Sequence, residues 1–382
     1  MNHDLFYAPI TYKNLHYIHQ WVGDNLKINY VANISDLSEL CKKIILIDIR
    51  DANFQIDLIK KLVEQKNYFV FFEAWACNKA NQQLTDLVAD LPANTPFAVI
   101  ANTDDQRSNG PCVNLRAFYF ITMSMPNRLR SEHLIEHIFD PVPKPFTFSY
   151  LNGRSRPHRK HLWHLLNQQG SLDRSLWSWW DDSSATNSLS AETNDTIPRQ
   201  SLDSKYESAF VDIGHSMLQQ YDAKRYYEFR IHLNQGHWID GHIVPEMYKN
   251  TYFSVVTESV TEFSPFLTEK IFKPLLAGHP FIVLGSAGYY QKLKELGFQT
   301  FDTVIDESFD LEQDVVKRCA MIAAQVDRLC NINLAEFHVK VRDICEHNRQ
   351  HYINNQWSEW LKVHNELNEF FNQVITEHNK NL

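Results

Sequence analysis

The sequence predicts an α/β protein made of two parallel-sheet domains, and three observations predict it. In the first half, short runs rich in Ile, Val and Phe alternate with helical periodicity, the pattern of a parallel sheet covered on both faces. A proline-rich joint, Asp140-Pro141-Val142-Pro143-Lys144-Pro145, then interrupts the chain. Beyond it, Tyr248 to Gly288 reads as strand, polar loop, short helix, strand and glycine turn, which is half of a nucleotide-binding α/β unit.

In the first half the predicted strands are Lys43–Ile49, Tyr68–Phe72, Pro96–Ala101 and Phe118–Met123. The helix Asp57–Gln65 lies between two of them, with Ile59, Leu62 and Val63 as its inner side. The prolines of the joint restrict the backbone around them, so the first domain is expected to span residues 1–145. Glu73 follows the Tyr68–Phe72 strand, and Asp104 and Asp105 follow Pro96–Ala101. Open parallel sheets place their sites at the carboxyl ends of strands, so these carboxylates are candidate general bases, Glu73 first.

The second domain is expected to span 146–355. It opens with a strand at Phe148–Leu151, an Asn152-Gly153 turn, and a helix started by Pro157 that carries Leu162, Trp163, Leu165 and Leu166. Between strand and helix lie Arg154, Arg156, His158, Arg159 and Lys160, a basic cluster suited to a pyrophosphate because a guanidinium binds two oxygens at once. The polar run Asp181–Ser208 reads as a loop, preceded by Trp177, Trp179 and Trp180, read mainly as core. Next comes a strand at Tyr252–Val256. The helix after it has Thr268 as N-cap, Ile271, Phe272, Leu275 and Leu276 as apolar face, and Gly278 as stop. Pro274 leaves this helix kinked or short. At its start, free N–H groups, the helix dipole and Lys270 favour a phosphate, while Glu258 and Glu269 can accept hydrogen bonds from ribose hydroxyls. An apolar stripe from Trp357 to Ile375 predicts a terminal helix over 356–382 that packs on another element.

At 382 residues the chain has room for two cores, at roughly 100–200 residues per domain. Its 44% hydrophobic content identifies a folded protein. A formal charge of -9 argues against a general nucleic-acid binder and leaves the local basic clusters for a small anion. Cys41, Cys77, Cys112, Cys319, Cys330 and Cys345 contain no C-x-x-C pair, so neither a zinc ribbon nor a dithiol site is indicated. The amino-terminal residues lack a secretory pattern and no run approaches ~20 apolar residues, so a cytoplasmic location without a transmembrane segment is expected.

Tyr248-Lys249, the aromatic strand, Glu258-Ser259 and Thr268-Glu269-Lys270-Ile271 together resemble the donor signature of the α1,3-fucosyltransferases and related GT-B glycosyltransferases, including microbial and viral relatives. That signature reads roughly YK, FENS and TEKI; here Thr257-Glu258-Ser259 stands at the Glu-Asn-Ser triplet. The resemblance implies two Rossmann-like domains facing a cleft, an acceptor side in the first domain, and a terminal helix crossing back to it. It further implies that Glu269 holds the ribose, Lys270 a phosphate, and Tyr248, Lys249, Glu258 and Thr268 the donor pocket. Asn152 and Arg159, with Arg154 beside them, fall where the family has an Asn-containing turn followed by Arg.

The expected function is glycosyl transfer from a nucleotide sugar, GDP-fucose-like by preference, to a glycan or other hydroxyl acceptor. The resemblance implies inversion, and metal independence is expected since no D-x-D pattern accompanies the donor elements; no cofactor is expected. Two alternatives stand beside it. His133, Glu136 and His137 match H-x-x-E-H, the spacing of a zinc-dependent hydrolase, although such matches arise cheaply in a chain with 18 histidines. The other is a noncatalytic nucleotide-sugar-binding protein.

Overall fold

The computed structural model describes residues 5–9, 28–31, 36–37, 40–48, 56–72, 91, 95–101, 111–114, 134–181, 197, 243–262 and 265–381. Glu73, Asp104, Asp105, His133, the strand expected at 118–123 and most of the polar run after Asp181 lie outside them. By internal contact the chain forms two compact units, Met1–Phe118 with Trp357–Leu382, and Tyr119–Gln356. The proline joint therefore belongs to the second unit.

The first unit holds a six-stranded sheet of β1 (Phe6–Pro9), β2 (Ile28–Val31), β3 (Ile44–Asp48), β4 (Tyr68–Phe72), β5 (Phe97–Ala101) and β6 (Cys112–Asn114), in the order β2-β1-β3-β4-β5-β6. Every pairing is parallel, as the alternating sequence pattern requires. Side chains alternate along a strand, so Ile45, Ile47, Phe69, Phe71, Phe97 and Val99 share one face, which packs against Ile59 and Leu62 of α1 (Ile56–Glu64). Asn67 fastens this crossover: its Oδ1 accepts from Lys43 N at 2.9 Å, and its Nδ2 donates to Leu40 O at 2.8 Å and Leu62 O at 2.9 Å. The opposite face meets the end of the last helix, where Phe371 lies edge-on to Phe6 at 5.7 Å and Glu377 accepts from the Tyr68 hydroxyl at 3.2 Å. Leu367, Phe370, Phe371 and Val374 are buried there.

The second unit holds a parallel sheet of β7 (Phe146–Arg154), β8 (Ser175–Asp181), β9 (Thr251–Thr257) and β10 (Phe281–Leu284), in the order β10-β9-β7-β8. Its helices are α2 (Leu134–Ile138), α3 (Pro157–Gln168), α4 (Pro245–Lys249), α5 (Glu269–Ala277), α6 (Tyr289–Glu295) and α7 (Val315–Cys330). The last helix, α8, runs from Leu334 to Lys380 and so begins well before the expected start at 356. Another expectation is corrected at Asn152-Gly153, where β7 continues straight through to Arg154 instead of turning. Pairing of Asn152 with Trp179 and of Arg154 with Asp181 on β8 overrides the local turn preference.

α5 runs unbroken across Pro274 and stops at Gly278, whose φ of 71° is the left-handed cap conformation. A Cβ on Gly278 would also stand 2.7 Å from Ile135 Cδ1 of α2, whereas one on Gly170, at φ 74°, would meet nothing within 4 Å. Gly170→Ala should cost about 1 kcal/mol through backbone strain alone. Gly278→Ala should cost about 2–4 kcal/mol, because strain and overpacking add. Urea midpoints check this; equal losses at the two sites would refute the close-approach account.

Candidate functional site

In the second sheet the chain leaves β7 first toward β8 and later toward β9, so strand order reverses at β7. The carboxyl ends flanking such a reversal open the crevice where α/β sheets bind ligands. Asn152, near the end of β7, is buried and accepts from the Thr257 hydroxyl at 2.7 Å, joining β7 to the end of β9. Across the same edge, Arg159 Nη2 donates to Thr257 O and Glu258 O, both at 3.1 Å. His158 Nε2 also reaches Glu258 O, at 2.9 Å, and must carry the proton because a carbonyl only accepts.

Glu258 is fully buried, and both carboxylate oxygens are turned inward. Oε1 accepts from Thr268 N at 3.0 Å and the Tyr289 hydroxyl at 2.6 Å, while Oε2 accepts from the Thr268 hydroxyl at 2.6 Å. Burial pushes this carboxyl above its ordinary value, opposed by Lys270 and helped by Glu269. Thr268 is the N-cap the sequence indicates, its Oγ1 accepting from Lys270 N at 3.3 Å and from Lys270 Nζ at 3.2 Å. Lys270 Nζ also meets Glu269 Oε1 at 2.5 Å. These two side chains are 26% and 13% exposed, so the pair faces solvent while everything beneath it is closed. Burial raises the Glu269 carboxyl, but Lys270 and Lys273 outweigh it and hold the group below its ordinary value, leaving it ionised.

The structure thus divides the sequence-predicted residues. Asn152, Arg159, Glu258, Thr268, Glu269 and Lys270 gather at the carboxyl edge of the sheet. Arg154 ends β7 at that edge. Tyr248 and Lys249 do not join them, because α4 precedes β9 and sets both at the amino edge. There Tyr248 lies edge-on to His279, Lys249 pairs with Glu246 at 3.4 Å, and Lys249 O accepts from Lys144 Nζ at 2.7 Å. Trp179 is buried and Trp177 packs edge-on to Trp163 at 5.7 Å. Glu136 and His137 lie on the five-residue helix α2, and no group of three potential metal ligands occurs among the described residues.

Sequence reasoning missed two supports. Tyr289, adjacent to the glycine turn, carries the hydroxyl that reaches Glu258; a Cβ on Gly285 would fall on its ring. Arg318, which no motif marks, donates to the carbonyls of Thr261, Gly285, Glu312 and Gln313 and so pins the loops that follow β9 and β10.

No family model matches the chain, and no curated protein matches it. A solved structure described as "Crystal Structure of alpha1,3-Fucosyltransferase" aligns with 96% of this chain and 90% of its own, at 10% identity and a TM-score of 0.48. The α/β assignment rests on the two parallel sheets themselves. No helix among the described residues is long and apolar enough to cross a membrane.

Burial, reinforced by Arg159, pushes the His158 imidazole down to about 3, so it stays neutral in the fold. Between pH 6.5 and 3 the unfolded chain binds a proton there that the folded chain does not. The His158 contribution is complete above pH 6.5 and is lost as pH falls toward 3. Glu307 works in the opposite direction: burial raises its carboxyl to about 7, so its contribution is present below its ordinary value and lost as pH rises through 7. The difference between wild type and His158→Gln isolates the histidine. Wild type should lose about 2 kcal/mol more than the variant between pH 7 and 5, measured by urea unfolding; parallel pH curves would refute the assignment.

Proposed function

We propose that this chain is a glycosyltransferase that moves a sugar from a nucleotide diphosphate, GDP-fucose-like by preference, to a hydroxyl acceptor. The observation that carries the reading is the partly exposed Glu269–Lys270 pair on the first turn of α5, at the carboxyl edge next to the strand reversal. The TEKI signature at these positions supports it. An ionised carboxylate beside an ammonium and a helix N-terminus offers acceptors to ribose hydroxyls and positive charge to phosphate.

In the proposed reaction the acceptor oxygen bonds to the anomeric carbon as the bond from that carbon to the diphosphate oxygen breaks. The electron pair leaves with the diphosphate, and a general base takes the hydroxyl proton. Lys270 and the α5 dipole stabilise the departing charge, an electrostatic role that needs no divalent ion. Attack opposite the leaving group inverts the centre. Glu73 is the proposed base, with Asp104 and Asp105 next in line.

A thermal-shift screen against GDP-, UDP-, CDP- and dTDP-sugars tests the reading. At least one should raise the melting temperature, and Lys270→Ala should weaken its binding about 10- to 100-fold, the worth of a charge-assisted phosphate contact. Equal shifts in wild type and variant would remove Lys270 from the site. Binding without hydrolysis or transfer of the sugar would favour a noncatalytic nucleotide-sugar binder.

A further inference from the structure

We infer that Glu258 and Tyr289 are positioning residues, which orient the Lys270 ammonium through the Thr268 hydroxyl without touching the ligand themselves. The inference rests on the donor-site reading above and changes the role of Glu258 within it. A pocket-lining carboxylate would present an oxygen to the ligand. Glu258 has none to present, since Oε1 is occupied by Thr268 N and the Tyr289 hydroxyl and Oε2 by the Thr268 hydroxyl, all in a site closed to water.

The Thr268 hydroxyl has one proton and two lone pairs. By donating that proton to Glu258 Oε2 at 2.6 Å, it leaves its lone pairs for Lys270 N at 3.3 Å and Lys270 Nζ at 3.2 Å. A carboxyl oxygen accepting from the hydroxyl polarises it and makes it a better acceptor in turn. Glu258 thereby reaches Lys270 without a direct ion pair, and the ammonium keeps capacity for a phosphate. Tyr289 fixes the carboxylate from the other side, and its ring is held by the close approach of Gly285. The Glu258 carbonyl accepts from His158 and Arg159, so the group that sets the lysine is tied to α3 as well.

The experiment is a double-mutant cycle read as the Kd for GDP, using wild type, Glu258→Gln, Lys270→Ala and the double variant, with melting temperatures recorded for each. Glu258→Gln should weaken GDP binding about tenfold in the wild-type background and less than about twofold once Lys270 is absent, since its effect travels through that residue. Because a buried substitution can compromise folding, a second pair is measured alongside. Thr268→Ser keeps the hydroxyl and should bind GDP like wild type, whereas the near-isosteric Thr268→Val should lose about tenfold. The same loss from Glu258→Gln with and without Lys270, or equal affinity of the Ser and Val variants, overturns the positioning role while leaving the donor site intact. Failure of the wild-type protein to bind GDP or any other nucleoside diphosphate overturns the donor-site reading and this inference with it.

Discussion

A carboxyl group sealed from water organises the carboxyl edge of the second sheet. Burying a polar group without hydrogen bonds costs roughly 2–7 kcal/mol, and Glu258 is tolerable there because donors surround it. Glu258 takes hydrogen bonds from Thr268 twice and from Tyr289. Those partners come from the starts of α5 and α6, while its carbonyl takes side chains from α3. One residue therefore fixes where three helices begin relative to β9. Loss of any donor would leave a buried carboxyl oxygen short of a partner, so these hydrogen bonds help set the position of α5 beside its apolar face.

Charge in this unit is divided between fixed and available groups. Arg318 and Arg159 spend their guanidinium groups on main-chain carbonyls and hold loops and strand ends in place. Glu269 and Lys270 are instead partly exposed and pair with each other. In the proposed reaction a phosphate at Lys270 would take the place of this pairing, and Glu269 would turn to hydroxyl groups. The hydrogen-bonded layer beneath is closed, and the pair above it is the part left partly exposed.

Strong periodicity made the sheets legible. β4 and the apolar faces of α1 and α5 fall where alternation and helical spacing put them, and Thr268 and Gly278 bound α5 as cap and stop. What the sequence hid was decided by partners distant along the chain. β1 and β2 are four-residue strands whose pairing with each other and with β3 no local pattern announces. Asn152-Gly153 carries a strong turn signal, yet a neighbouring strand holds it extended. Tyr248 and Lys249 adjoin the site's strand in sequence but fall at its opposite end, because a strand separates its two ends by about 3.3 Å per residue. Spacing identified the residue types at Glu258 and Lys270. It could not tell a buried oxygen from an exposed one.

The split composition of the first unit sets an order of events during synthesis. The described strands of its sheet have all been made by Asn114, but the contacts of Phe6 and Tyr68 with Phe371 and Glu377 wait for residues more than two hundred positions later. The second unit is continuous from Tyr119 to Gln356 and has no such delay. Emerging from the ribosome, the chain therefore finishes its middle before its beginning, and Phe6 and Tyr68 lack these partners in the meantime. That interval is where chaperone dependence and aggregation of the nascent protein would concentrate.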